Sequence, residues 1–390
     1  MKRTATALAL VLAACGQAST AQDARAVGQE PVTGVQVGAL KPFVATPVAT
    51  FADPWAMTFL PGRGVAMTGA ALVTEKGGRL WLVETTGGKR TAVTGVPKVD
   101  AGGQGGLGDV IVHPDFAGNG IVYLSWAEAG PNDTRGAAVG RGKLVLDGTT
   151  ARIDDLQVIW RQEAKVTGRG HFGHRLAFGP DGMLYIASGD RQKFTPAQDM
   201  DSNLGKIVRL TETGMIPSDN PFYDQGRVKA QIWSYGHRNP LGIAFDAQGR
   251  LWEQEMGPRG GDEVNLVIKA KNYGYPIVSN GDHYDGRDIP DHPTRPEFEA
   301  PKVSWNPAIS PAGLMIYSGD MFAAWKGSAF IGGLSSQSLV RVAFAGEKAR
   351  EAERFDMGAR IREVEQGPDG AIWVLEDGGS GRLLKLTPKK

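Results

Sequence analysis

One pattern recurs along this chain: an apolar pair, a turn built on Pro, Asp or Gly, then an alternating apolar run. It appears as MTFLPGRGVAMTG (57–69), IVHPDFAGNGIVYLS (111–125), LAFGPDGMLYIASGD (176–190), IAFDAQGRLWEQEMG (243–257) and VEQGPDGAIWVLEDG (364–378). A weaker sixth copy is LMIYSGDMFAAWKGSAFIGGL (314–334). Each copy reads as two strands joined by a tight turn, with the position needing positive φ given to Gly or Asn. The copies lie about 50–70 residues apart, the length of one four-stranded blade with its loops. A lone blade cannot bury both faces, whereas a closed ring can. The expectation is therefore an all-β, six-bladed β-propeller of four-stranded antiparallel blades.

The rest of the chain agrees with that reading. Its 390 residues can bury a large core, and the 54 glycines supply the many turns an all-β fold needs. Helical periodicity is almost absent; residues 346–354 (GEKAREAER) read as a charged loop or at most a helical turn. One domain is expected over residues 41–390, the alternative being two β-domains divided near 215–230. Lys and Arg number 43 against 42 Asp and Glu, so no net field points to nucleic acid or a membrane surface.

The N-terminus reads as an export signal. Lys2 and Arg3 precede a short apolar run, Ala5 to Ala14, too short to span a bilayer. Leu12-Ala13-Ala14-Cys15 is similar to the lipobox of a bacterial lipoprotein, which implies cleavage before Cys15 and lipid attachment there; an ordinary signal is the alternative. The expected organisation is a signal over residues 1–15, a flexible tether over 16–40, and an exported, periplasmic, lipid-anchored protein. Cys15 is the only cysteine, so the mature body has no disulfide and no thiolate chemistry.

Several groups in the body could carry chemistry. His171 precedes a Gly and a strand-like run, where a histidine can take a proton near neutral pH; His174 is its rival. A structural loop histidine is the alternative for both. Arg238-Asn239 precedes Pro240, which holds the loop extended and presents a fork of donors beside an amide. In EMGPRGGDE (255–263), glycines free carbonyls, while Asp262 and Glu263 add hard oxygens, a composition suited to Ca²⁺. Arg360 and Arg362 alternate along a strand and share a face, so an anion between them would relieve their repulsion; separate salt bridges would do the same. Gln104 in a Gly-rich loop could let its amide approach a ligand. Trp305 could wall a sugar site or simply pack.

In their order, HFGHRLAFGPDG (171–182), GHRNPLG (236–242), GPRGGDEVN (257–265), KNYGYP (271–276) and RIREVEQGPDG (360–370) resemble the aldose sugar dehydrogenase branch of the soluble quinoprotein glucose dehydrogenases. The resemblance spans about residues 43–388 and implies pyrroloquinoline quinone (PQQ) and Ca²⁺ as cofactors and an aldose substrate. It implies that His171 is the proton acceptor and that Arg238 stabilises charge on the quinone oxygen. It places Gln104, Arg238, Asn239, Tyr284, Arg360 and Arg362 against the cofactor. The carbonyls of Gly257 and Pro258 would hold the Ca²⁺ bound to PQQ; Glu263 and the carbonyl of Tyr273 would hold a second, structural Ca²⁺.

Two positions depart from the family. Ser335 stands where the family has a lysine reaching PQQ, a loss of roughly 1.5–3 kcal/mol for a charge-assisted hydrogen bond. Arg341 is the neighbouring group that could compensate. Gly170 stands where glucose-oxidising members carry an acid, which implies a broader or different sugar preference. The competing readings are a propeller that binds sugar or a protein partner without turnover, and a metal-dependent lactonase or hydrolase.

Overall fold

The computed structural model describes residues 40–62 and 69–389. The expected signal, tether and Cys15 lie outside the described residues. Four of the sheets contain four strands, one contains eight and one contains two. Apart from a four-residue helix, Phe116–Asn119, and short 3-10 turns, the regular elements are strands. The arrangement is nearly all-β and consistent with a β-propeller.

Each sequence repeat after the first supplies the first two strands of a four-strand group. Gly173–Phe178 and Leu184–Ser188 pair antiparallel, for example, as do Pro240–Phe245 with Leu251–Glu255 and Ile361–Gln366 with Ile372–Glu376. The joining turns carry their positive φ on Gly182, Gly249 and Gly370, where a side chain would be strained. In the second repeat the short helix Phe116–Asn119 replaces the turn and ends on Gly120 at φ 71°.

The first strands also touch one another in chain order. Pro54–Phe59 packs on Leu107–Val112, then come Gly173–Phe178, Pro240–Phe245, Pro311–Ile316 and Ile361–Gln366, which returns to Pro54–Phe59. Closure is made by the chain's two ends. Phe43–Phe51 pairs along Gly381–Pro388, from Phe43 opposite Pro388 to Phe51 opposite Gly381. The eight-stranded sheet arises at an outer edge. Arg90–Thr94 meets Thr150–Arg161 in a short parallel pairing, Val93 with Ala151 and Thr94 with Arg152, which joins two four-strand groups.

Apolar faces of successive sheets supply the core. Trp126, Trp252 and Trp373 are among the largest fully buried side chains. Burying one such side chain contributes about 1.5–3 kcal/mol.

Residues 346–354 differ from expectation. Lys348–Asp356 is a strand paired with Ser338–Ala345, not a loop. Its charged side chains are tolerated because it is an edge, and they find partners: Arg341 on Glu353 at 2.6 Å and Arg354 on Glu351 at 2.7 Å.

Candidate active site

The loops before and after the first strands build the site. His171 lies just ahead of Gly173–Phe178 with φ 48°, a left-handed conformation uncommon for a residue with a Cβ. Two contacts hold it there. Its backbone N–H donates to Oε1 of Gln104 at 2.7 Å, and its Nδ1 lies 2.7 Å from Oδ1 of Asp190. Asp190 is fully buried and follows the second strand of the same group, Leu184–Ser188. It is itself fixed by the backbone N–H groups of Gln192 and Phe194. With Nδ1–H directed at a carboxylate, Nε2 is left as the basic nitrogen.

Burial and then the positive charge of Arg238 lower the His171 pKa, against the pull of Asp190. The ring is therefore neutral and proton-accepting at neutral pH. The acid limb of kcat/KM is expected below the ordinary histidine value of about 6.5. Activity should hold as pH falls through that value and drop only at the lower, folded-state pKa. A pH–rate profile whose acid limb lies at or above 6.5 would contradict this assignment.

His174 is a packed residue. Its ring stacks on Trp55 with centroids 4.9 Å apart, and Nδ1 meets Ser125 Oγ at 2.8 Å. Burial, followed by Arg175 and Arg191, pushes its pKa down to about 3.

A cleft of about 390 Å³ is lined by Phe172, which follows His171, and by Gln104, which accepts the His171 backbone N–H. Gln104, Asn239, Arg360 and Arg362 all line it, with Trp55, Phe172, His174 and Leu334. Asn239 is 1% exposed, and neither atom of its carboxamide has a hydrogen-bond partner. A buried amide left unbonded is costly, so this one is poised for a ligand. Its backbone N–H and that of Arg238 both donate to Oε2 of Glu255, at 3.0 and 2.5 Å.

Arg360 and Arg362 share one face, as expected, and the anion between them belongs to the protein. Asp377 accepts from Nε of both, at 2.8 and 2.9 Å. Burial alone would raise the Asp377 carboxyl; Arg362 and Arg360 hold it below the usual carboxylate range. Lys76, which sequence reasoning missed, adds a third cation to the cleft and donates to the Gly103 carbonyl at 3.1 Å.

Arg238 lines a second, small cavity together with Gly257, Pro258, Glu263 and Tyr273. The four residues expected to hold two separate ions thus surround one space. Arg238 donates from Nη1 to the Met256 carbonyl at 2.8 Å, while its buried Nε has no partner. Its guanidinium lies 5.8 Å from the Tyr275 ring centroid and 5.9 Å from that of Tyr284. Tyr284 is 74% exposed. Asp262 braces the loop and is not aimed at the cavity. It accepts from the backbone N–H of Gly257 at 2.9 Å and of Ser310 at 2.7 Å.

Two expectations are corrected here. Trp305 is 2% exposed within an apolar cluster, its Nε1–H on Glu351 at 2.6 Å. It pairs with Asp262 inside a sheet and presents no face to a sugar. Arg341 is held by Glu353 and Ser328 and lines a different surface pocket, so it does not replace the lysine absent at 335. Ser335 is exposed and donates to the Ala308 carbonyl at 3.3 Å. At Gly170 an added Cβ would come within 2.4 Å of the Gln192 carboxamide, so an acid there would have to displace that side chain.

Asp190 and Asp377 were also missed. Asp190 closes the repeat copy LAFGPDGMLYIASGD, and an acid just past a strand end was the signal available. Asp377 stands one position earlier in VEQGPDGAIWVLEDG, directly after the strand Ile372–Glu376.

Fold and site together define an all-β protein with a cation-lined cleft and a buried, carboxylate-oriented imidazole at its edge. The chain belongs to the glucose/sorbosone dehydrogenase family, which it matches over residues 51–385. It is 41% identical over 343 residues to the aldose sugar dehydrogenase YliI of Escherichia coli K12, covering 86% of this chain and 90% of that one. The crystal structure of the soluble E. coli aldose sugar dehydrogenase in its apo form superposes with a TM-score of 0.82. It is 39% identical and covers 89% of this chain and 100% of that one. The PQQ-bound aldose sugar dehydrogenase of Streptomyces coelicolor gives a TM-score of 0.72 at 27% identity, covering 88% and 97%.

Proposed function

We propose that this protein is a PQQ- and Ca²⁺-dependent oxidoreductase that oxidises aldose sugars at C1 to lactones on a six-bladed propeller. The observation carrying the proposal is the cleft itself. Lys76, Arg360, Arg362, Gln104 and the unpartnered amide of Asn239 line it beside the His171–Asp190 pair. Similarity to the E. coli aldose sugar dehydrogenase and to the PQQ-bound S. coelicolor enzyme supports the same reading.

The residues present suit both groups. PQQ is a tricarboxylate, and three cationic side chains face the cleft. Carbonyl and carboxylate oxygens suit a hard cation, and Gly257, Pro258, Glu263 and Tyr273 gather such donors around one cavity. When bound, PQQ supplies a two-electron acceptor and Ca²⁺ a Lewis acid that polarises it. The chain's own residues do the rest. Nε2 of His171 takes the proton of the anomeric hydroxyl, and Asp190 holds the ring in the tautomer that leaves this nitrogen basic. Arg238 lies where its free Nε can stabilise developing oxyanion charge. Arg360 and Arg362, spaced by Asp377, orient carboxylates, and Asn239 gives the amide contact. Tyr284 covers the Arg238 side.

Around this domain, residues 41–390, we place an exported protein held at a membrane through lipid on Cys15, facing the periplasm. The electron acceptor is external to the chain.

The decisive experiment is reconstitution of purified protein with PQQ and Ca²⁺, followed by dye reduction with a panel of aldoses. PQQ-dependent, chelator-sensitive turnover is expected. Absence of PQQ binding at millimolar Ca²⁺ would overturn the reading in favour of a non-catalytic binding propeller. Hydrolysis of a lactone with Ca²⁺ alone would favour the hydrolase. Replacing Lys76 by methionine keeps the apolar stem and removes one charge-assisted contact. It is expected to weaken PQQ binding by about tenfold or more, read by fluorescence titration. Unchanged affinity would remove Lys76 from the site.

A further inference from the structure

Behind the Arg238-Asn239 loop lies a second cluster that the reading above does not use. His237, Glu253 and Glu255 are 0%, 0% and 3% exposed, and one donor atom from each lies within 4.8 Å of the others. All three are braced from outside. Nε2 of His237 meets Ser234 Oγ at 2.9 Å, and the ring stacks on Tyr273 with centroids 4.6 Å apart. Oε1 of Glu253 accepts from Asn265 Nδ2 at 2.7 Å. Oε2 of Glu255 accepts the backbone N–H groups of Arg238 and Asn239.

The other face of each side chain is turned inward. Nδ1 of His237 and Oε2 of Glu253 are buried and have no hydrogen-bond partner. Nδ1 lies 3.4 Å from Oε1 of Glu253 and 3.8 Å from Oε1 of Glu255. These separations are long for charge-assisted hydrogen bonds, which fall at about 2.7–2.9 Å. They are close to a tetrahedral edge. Donors bound at about 2.0–2.2 Å to one ion are about 3.3–3.6 Å apart.

We infer that His237, Glu253 and Glu255 form a binding site for a divalent transition-metal ion, Zn²⁺ by preference. One imidazole nitrogen and two carboxylates make an N/O donor set; it suits Zn²⁺ better than Ca²⁺, which takes six to eight oxygens. Ser234, Asn265 and the two backbone N–H groups are the outer partners that fix ligand orientation. Its donor set differs from the oxygen-only donors Gly257, Pro258, Glu263 and the Tyr273 carbonyl, whose cavity Glu255 also borders. An ion here would brace the backbone of Arg238 and Asn239 through Glu255. The inference does not depend on PQQ or on sugar oxidation.

Without an ion the same groups can share a proton. Burial opposes it, but Glu253 and Glu255 raise the imidazole to about 9. The experiment must therefore detect the metal directly. The full chain is stripped with chelator and titrated with Co²⁺ and then Zn²⁺, without PQQ and with Ca²⁺ in excess. One equivalent of Co²⁺ is expected to give visible d–d bands of a low-symmetry N/O site, which Zn²⁺ removes and Ca²⁺ does not. Glu253→Gln, nearly isosteric, should weaken Zn²⁺ binding by about a hundredfold or more. A folded wild-type protein giving no cobalt bands overturns the site, whatever the variant does. So does Zn²⁺ affinity that survives in a folded Glu253→Gln protein.

Discussion

His171→Gln is expected to bind PQQ as the native protein does and to lose about 10²–10⁴-fold in turnover. The substitution leaves the backbone N–H on Gln104 and the cleft lining intact but removes the only basic nitrogen at this position. A glutamine amide can still meet Asp190, so the carboxylate is not stranded. The backbone at 171 has φ 48°, which a longer side chain tolerates less well than His or Asn. His171→Asn is the companion variant, since it keeps that conformation and equally lacks the base. Both should show native near-ultraviolet circular dichroism and a PQQ affinity within a few-fold of native. Retention of more than about a tenth of the activity by either would remove His171 from the proton-accepting role.

The largest effect on stability is expected at Arg175. Its guanidinium reaches four other first strands. It is carried on Gly173–Phe178 and pairs with Glu363 of Ile361–Gln366 and, at 3.5 Å, with Asp109 of Leu107–Val112. Its Nε donates to the Leu241 carbonyl of Pro240–Phe245 at 2.8 Å. It also lies 4.1 Å from the centroid of the Trp55 ring. Arg175→Met keeps most of the volume and leaves Asp109 and Glu363 buried without their cation. Removing one partner of such a group costs about 3–5 kcal/mol.

The pH dependence gives a second signature. Burial raises the Asp109 and Glu363 carboxyls even with Arg175 present, Glu363 to about 7. Without the arginine both folded-state values rise further. The variant's folded state then holds protons that its unfolded state releases, so its stability falls as pH rises. The deficit should be largest at pH 8 and shrink toward pH 5, read by guanidinium denaturation with tryptophan fluorescence. A deficit below about 1 kcal/mol at pH 8 would show that the network tolerates the loss.

Most of the strand pairing was legible because the repeats are innermost strand pairs. There, alternation and turn glycines coincide with the real geometry, as in 176–190 and 243–257. The outer strands were not. In Lys348–Asp356 six of nine residues are charged and Phe355 is the one large apolar side chain, so its composition resembles a loop. Among site residues, motifs carried those whose neighbours in sequence are also neighbours in space, such as Arg238-Asn239 and Gly257-Pro258. Asp190 lies 19 positions from His171, and Asp377 lies 17 and 15 from Arg360 and Arg362, each across a strand turn, while Lys76 reaches Gly103 27 positions on, so no short motif announces them. Trp305 was misjudged for a related reason: a tryptophan's chemistry suits a sugar ring, but the pairing of Trp305 with Asp262 decides which way it faces.

The pairing of Phe43–Phe51 along Gly381–Pro388 bears on how the protein comes into being. This sheet takes its fourth strand from Phe43–Phe51 and the other three from residues 361–388. During synthesis Phe43–Phe51 emerges early and must wait for residues more than three hundred positions downstream. Until they appear, two sheet edges stand unpaired and the ring has a gap. A ribosome-bound chain is thus unable to complete this sheet before Gly381–Pro388 has been made, so this long-range pairing carries a large loop-closure cost.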